Sequence, residues 1–200
     1  VTNLSLAPVD IHVDADYTTC LFYGLGADGT VGANKSTVKI IGNNTDLYSQ
    51  AYFAYDSKKA GGVTRSHLRF GPTPIHSPYY INKADFISSS QESYAFKFDM
   101  VRDLKDGGTF LLNTTMSADE VADKLPNRML KGLADKHAKF FIINANAIAR
   151  ETHMGSHTNT ILQSAFFKLN EQIMPYSKSL QLMEESARTT YARKGQDVVD

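Results

Sequence analysis

Residues 18–29 read TTCLFYGLGADG, and the reading of the fold turns on them. Thr18 to Tyr23 is a short apolar run rich in β-favouring residues, and it stops at Gly24 as a buried strand does. Gly24 to Gly29 is a literal G-x-G-x-x-G. Beyond it Val31, Val38 and Ile41 share one helical face, and the segment ends at Gly42 with Asn43 and Asn44 following, which suits a helix C-terminus. Strand, glycine turn and helix in that order open an α/β unit.

The rest of the chain continues the alternation. Ala51 to Tyr55 and Val63 to Phe70 read as extended, with the polar turn Asp56 to Gly62 between them, so they form a hairpin. Ala84 to Ser88 reads as another strand, followed by a helix through Met100 to Leu104. Gly107 and Gly108 introduce a buried strand at Thr109 to Leu112. Ser117-x-x-Glu120 is a capping-box pattern opening a helix. Lys139 to Ile143 (KFFII) is the clearest strand of all. Ile161, Leu162, Ala165, Phe166, Leu169 and Ile173 make one apolar helical stripe, and Leu180, Met183 and Ala187 begin another. The pattern predicts one Rossmann-like α/β domain: a mixed, mostly parallel sheet with helices on both faces. Residues 1–17 carry no clear period and read as a lead-in arm or strand, with residues 18–200 forming the domain.

Composition narrows the function classes. Two hundred residues suffice for one core without staples, and 42% hydrophobic with 21% charged residues is the balance of a globular chain. Lys and Arg number 21, as do Asp and Glu, so no overall charge argues for nucleic acid or an anionic membrane. No stretch approaches the roughly 20 apolar residues of a membrane helix. The N-terminus has neither the basic nor the apolar region of a secretory signal, so the expected compartment is cytoplasmic, and the Asn-x-Ser/Thr triplets at Asn3, Asn34, Asn43 and Asn113 are expected to stay unglycosylated. One cysteine, Cys20, excludes a disulfide framework, a cysteine-held zinc and an iron–sulfur cluster held by this chain alone. The valine start is that of a processed chain or an excised domain.

Two turns could carry chemistry. The Gly24–Gly29 loop would let backbone amides and a helix N-terminus approach a phosphate. A dinucleotide site would also need an acidic residue about 20 positions on, and Asp56 falls later than that. A tight turn with no ligand explains the glycines equally well. The second turn, Ser57-Lys58-Lys59-Ala60-Gly61-Gly62, puts two ammonium groups and flexible backbone together, as a phosphate cradle needs. Its alternative is a solvated hairpin turn. His153 and His157 are four apart, but Gly155 between them and the lack of a glutamate after His153 argue against a metal. Cys20 reads as a small core residue. No Ser/His/Asp or Cys/His set has local support.

The longer strings are more specific. FYGLGADGTVGANKSTVKIIGNNTDLYSQAYFAYDSKKAGGVTRSHLRFGPTPI, residues 22–75, resembles the gamma segment of pyruvate:ferredoxin (flavodoxin) oxidoreductases. That family shows GLG-x-DGTVGANK, then IIG-x-NTD, YDSKK-x-GG and SHLRFGP in the same order. The likeness continues through Ala84-Asp85-Phe86, Gly107-Gly108-Thr109-Phe110, Ile143-Asn144-Ala145 and Gln163 to Lys168, so it covers about residues 18–200. Arg65 departs from it, since the family commonly has an apolar residue there. The polar tract Ser88 to Lys97 departs as well.

The resemblance implies a whole enzyme that decarboxylates pyruvate to acetyl-CoA and CO2. Thiamine diphosphate, Mg and [4Fe–4S] clusters sit in its other domains or subunits, and electrons pass to ferredoxin or flavodoxin. The isolated chain is then expected to be inert. For this domain it implies contact with coenzyme A, whose phosphates suit Lys58 and Lys59, with Ser57 and the amides around Gly24, Gly26 and Gly29 assisting. Asn34 and Lys35 are further candidates on the first helix. Two alternatives stand: a purely architectural inter-domain module, and the same domain in an NADP-coupled or sulfite-reductase-like flavoprotein fusion.

Overall fold

The computed structural model describes residues 16–56, 61–152 and 158–191. In chain order the elements are β1 (Thr18–Leu25), α1 (Thr30–Asn44), β2 (Tyr48–Tyr55), β3 (Val63–Gly71), β4 (Ala84–Ser89) and α2 (Tyr94–Lys97). Then follow β5 (Leu104–Asn113), α3 (Ala118–Lys124), α4 (Asn127–Asp135), β6 (Lys139–Ile143), α5 (Ala145–Glu151), α6 (Thr158–Leu169) and α7 (Tyr176–Tyr191). The strands form one six-stranded sheet in the order β2-β3-β1-β4-β5-β6. β1, β4, β5 and β6 are parallel neighbours, and β3 pairs antiparallel with both β1 and β2. Only β3 therefore runs against the rest, so the sheet is mixed and mostly parallel.

Alternation along the strands divides the core in two. Cys20 and Phe22 of β1, with Leu68, Phe70, Phe86 and Leu111, face α1, α6 and α7. Leu21 and Tyr23, with Ile87, Phe110 and Leu112, face α2, α3 and α4. The first layer is closed by aromatic edges: Phe166 lies 5.4 Å from Phe22 and 5.2 Å from Phe86 between ring centroids. Such pairs add about 0.5–1.5 kcal/mol each beyond the area they bury.

Local chemistry accounts for the boundaries. Ser117 caps α3 by accepting from Glu120 N at 3.3 Å, while the Glu120 carboxylate accepts from Ser117 N at 2.9 Å. α1 runs two residues past Gly42 because Asn44 Nδ2 donates to Ile40 O at 2.8 Å and Thr45 Oγ1 to Ile41 O at 2.7 Å.

Of the residues expected on the inward face of α1 (Val31, Val38 and Ile41), Ile41 is fully buried and Val38 packs against the same core, but the face is more polar than expected. The buried residues are Thr30, Asn34, Thr37, Ile40 and Ile41. α6 answers two of its polar groups, Gln163 Nε2 donating to Thr37 Oγ1 at 3.0 Å and Thr30 Oγ1 donating to Asn159 Oδ1 at 3.0 Å, while the buried Asn34 Nδ2 has no partner among the described residues.

The helix expected through Met100 to Leu104 is not formed. A 3-10 turn spans Val101–Asp103 and β5 starts at Leu104. Lys136 Nζ donates to the carbonyls of Val101, Arg102 and Leu104 at 2.8, 2.8 and 2.5 Å, while Val101 O also accepts from Leu104 N to close the 3-10 turn. Gly107, at φ +70°, sits in the irregular stretch where the β4–β5 register shifts between Ala84 and Phe86. α4 and α5 have no counterpart in the sequence reading. The lead-in arm, residues 1–17, falls almost wholly outside the described residues. Among the described residues no helix is long and apolar enough to cross a membrane.

Candidate functional site

In an α/β sheet, ligands gather beyond the carboxyl ends of strands where successive connections diverge. Here β1 leads through α1 to the β2–β3 hairpin on one side, while β4 and β5 lie on the other. The Gly24–Gly29 loop leaves β1 at that divergence. It is held by several bonds. Gly26 N donates to Gly62 O at 2.8 Å and Asp28 N to Leu25 O at 2.9 Å. The Asp28 carboxylate accepts from Leu25 N at 2.9 Å, Thr30 N at 2.8 Å and the Ser90 hydroxyl at 2.7 Å. Asn159 Nδ2 donates to the Asp28 carbonyl, and the Tyr94 hydroxyl donates to Gly24 O at 3.3 Å. Burial, and secondarily the Asp28 charge, hold the Tyr94 phenol above its ordinary pKa.

The glycines have distinct reasons. A Cβ on Gly24 would lie 2.5 Å from Thr30 Cβ. One on Gly26 would meet Gly62 O at 3.3 Å, while Gly29 sits at φ +89°, where L side chains are strained. Gly24 and Gly26 thus serve close approach, and Gly29 serves a left-handed turn into α1.

Between this loop and the hairpin end lies a cleft of about 570 Å³, lined by Leu25 to Gly29, Val31, Tyr55, Asp56, Gly62 and Thr64. The first intrahelical bond of α1 is Ala33 N to Gly29 O at 3.0 Å, so the amides of Val31 and Gly32 precede the ladder and face outward from the helix N-terminus. Thr64 is 3% exposed and its Oγ1 has no partner among the described residues. The chemistry on offer is hydrogen-bond donation and a helix dipole, both suited to an anion. No described residue here is placed as a nucleophile or general base.

The expected site residues are only partly brought together. Gly24, Gly26 and Gly29 share the loop. Asn34 is instead buried on the sheet side of α1, in a small cavity with Thr30, Thr37, Gln163, Ser88 and Ser90. Lys35 is exposed, its ammonium 5.5 Å from the Phe53 ring centroid. Ser57, Lys58 and Lys59 lie outside the described residues, as do His153 and His157. Asp56 and Gly62, which bracket the lysines, both line the cleft.

Sequence reasoning passed over Asp28, Thr64, Ser90 and Asn159. Asp28 alone had a legible signal, since an Asp that bonds the amide two residues on is an Asx turn. The other three reach the loop from distant parts of the chain.

The family model described as pyruvate ferredoxin/flavodoxin oxidoreductase matches residues 19–200. The chain belongs to this family. It is 52% identical over its whole length to the pyruvate-flavodoxin oxidoreductase of Enterobacter agglomerans, of which it spans 17%. It is 46% identical over 182 residues to the pyruvate dehydrogenase [NADP(+)] of Cryptosporidium parvum, covering 90% of this chain and 9% of that protein. The pyruvate oxidoreductase subunit PORC of Thermotoga maritima shares the fold, with a TM-score of 0.71 at 19% identity, 93% of this chain and 90% of that one being covered. The chain is thus similar to a fraction of long polypeptides and to a nearly whole separate subunit. An iron–sulfur cluster does not fit it: Cys20, its one cysteine, is fully buried and desolvation raises its thiol pKa far above the ordinary range.

Proposed function

We propose that residues 18–200 form the coenzyme A-engaging domain of an enzyme that oxidatively decarboxylates pyruvate to acetyl-CoA and CO2 and passes electrons to ferredoxin or flavodoxin. Thiamine diphosphate, Mg and [4Fe–4S] clusters belong to its other domains or subunits in this reading, and the compartment is the cytoplasm. The observation that carries the coenzyme A assignment is the cleft between the Gly24–Gly29 loop and the hairpin end. It joins a helix N-terminus to an unsatisfied buried hydroxyl, Thr64. Lys58 and Lys59, with Ser57, belong to the segment whose two ends line it. Lys35 adds a cation on the same helix.

The Asp28 geometry favours a second reading for the glycine loop. Its carboxylate already takes the amides of Leu25 and Thr30, which a phosphate would otherwise use. The loop can therefore be an architectural element while the lysines alone hold phosphate. The double variant Lys58→Ala/Lys59→Ala in the complete enzyme separates the two. Charge-assisted contacts are worth about 1.5–3 kcal/mol, so the apparent KM for coenzyme A should rise about ten- to a hundred-fold per residue, with decarboxylation on thiamine intact. An unchanged KM removes the phosphate assignment. Failed assembly with normal coenzyme A kinetics in the remaining enzyme supports the architectural reading.

A further inference from the structure

A hairpin at the edge of a sheet has two faces, and one helix covers one of them. α1 packs on β2 and β3 from the side carrying Leu68 and Phe70. Residues two apart share a face, so the opposite side carries Gln50, Tyr52 and Ala54 across from Arg69, His67 and Arg65. The helices of the other layer, α2 to α4, gather with β1, β4 and β5 instead.

Residues 72–83, which form no regular element, fold back over part of this side. The Tyr80 ring stacks on His67, with centroids 4.9 Å and planes 16° apart. The Arg69 guanidinium lies 4.8 Å from the Tyr79 ring centroid and donates to Tyr79 O at 2.7 Å. This cover buries His67 and Arg69 but leaves its own rings in solvent. Tyr48, Tyr52, Tyr79 and Tyr80 are between 47% and 57% exposed, and the Tyr52 and Tyr80 rings are 5.4 Å apart. Clustered tyrosines bordered by arginine are the composition of an interface core, not of a free surface.

The two strands of the hairpin bring only positive charge to this side. β2 and β3 contain no Asp or Glu. Arg65 is exposed. Arg69 is 3% exposed, bonds to neutral acceptors, Gln50 Oε1 at 3.2 Å and Tyr79 O, and has no carboxylate partner among the described residues. A cation buried without a counter-charge is costly, and a carboxylate brought to this surface relieves that cost. A second copy of the same face brings the same two strands, which carry no Asp or Glu.

We propose that the outer face of the β2–β3 hairpin, Tyr48, Tyr52, Tyr79 and Tyr80 around Arg65 and Arg69, seats a carboxylate-bearing surface of another domain of the same polypeptide. The inference rests on the reading of this chain as one domain of a longer oxidoreductase, of whose relative it spans 17%. Tethering in one chain raises the effective concentration to about the millimolar range for a short flexible linker, which favours such a contact. Arg65 supplies the exposed charge.

The test uses the full-length polypeptide carrying Tyr80→p-benzoylphenylalanine, which keeps an aromatic ring over His67. Irradiation should join this position to a peptide outside residues 1–200 that contains Asp or Glu, without doubling the mass on a denaturing gel. Adding Arg65→Glu should cut the yield at least tenfold, and Arg65→Lys should keep most of it. Joining of two copies, capture confined to residues 1–200, or a yield indifferent to Arg65→Glu overturns the proposal. In the unsubstituted enzyme, N-acetylimidazole should spare Tyr52 and Tyr80 until urea is added, and rapid native acetylation of both overturns it equally. The intact mass of the natural polypeptide tests the underlying reading apart from this face. A natural chain no longer than these residues removes the domain reading, whereas a long chain with no outside capture removes only the docking face.

Discussion

The Asp28 carboxylate accepts the Ser90 hydroxyl at 2.7 Å, tying the loop that follows β1 to the turn that follows β4. The same carboxylate holds the amides of Leu25 and Thr30, so one side chain sets both the loop's internal shape and its position on the sheet. Ser90 N in turn donates to Tyr23 O at 2.9 Å, and Asn113 Nδ2 donates to Ser90 O at 3.1 Å. The link therefore spans three neighbouring parallel strands at the carboxyl edge.

Removing that carboxylate strands three donors. Asp28→Ala should destabilise the chain by about 2–4 kcal/mol, and Ser90→Ala by about 1 kcal/mol. Because they share a bond, the double variant should cost less than the sum, by about 1 kcal/mol. Urea unfolding of the four proteins measures this, and strict additivity would show that the bond contributes nothing.

The glycines of the loop should rank by what a Cβ would meet. Gly24→Ala forces backbone movement against Thr30 and should cost about 2–3 kcal/mol. Gly29→Ala should cost about 1–2 kcal/mol through its left-handed backbone. Gly26→Ala, whose Cβ would come no nearer than 3.3 Å to the Gly62 carbonyl, should cost least of the three, while the larger Gly26→Val should reach about 1–3 kcal/mol. Thermal melts of the series give the order, and Gly26→Ala as the worst of the three would contradict it.

His67 predicts a pH dependence. Burial, then the charges of Arg65 and Arg69, lower its pKa from 6.5 to about 4, and its Nδ1 accepts from Ile81 N at 3.1 Å, which needs the neutral ring. Between these two values the unfolded chain binds a proton that the folded chain does not. Stability is complete above about pH 6.5 and falls as pH drops towards 4, by at most about 3 kcal/mol. His67→Gln should flatten the slope of unfolding free energy between pH 6.5 and 4.5, and an unchanged slope would assign the dependence elsewhere.

What could be read along the chain was what neighbouring residues decide. TTCLFY becomes β1, which runs on through Gly24 to Leu25 instead of stopping at the glycine, KFFII becomes β6 with the same ends, and Ser117 with Glu120 opens α3, because periodicity and capping act over a few residues. The hairpin was legible from its polar turn, and the family from strings long enough to be specific. What failed was set at a distance. Tyr94 to Leu104 breaks into a short helix, a 3-10 turn and the start of β5, where Lys136, over 30 residues on, takes three of its carbonyls. The inward face of α1 mixes Thr30 and Thr37 with Ile40 and Ile41, because Asn159 and Gln163 of α6 meet its hydroxyls.

The candidate site divides along the same line. Glycine spacing marked the loop, since backbone freedom is a property of the residue itself. Only the tertiary structure brought Thr64 to the cleft and turned Asn34 away from it. Which polar group faces solvent, another strand or a ligand depends on sheet order and on the helix packed above. No spacing along the chain encodes that.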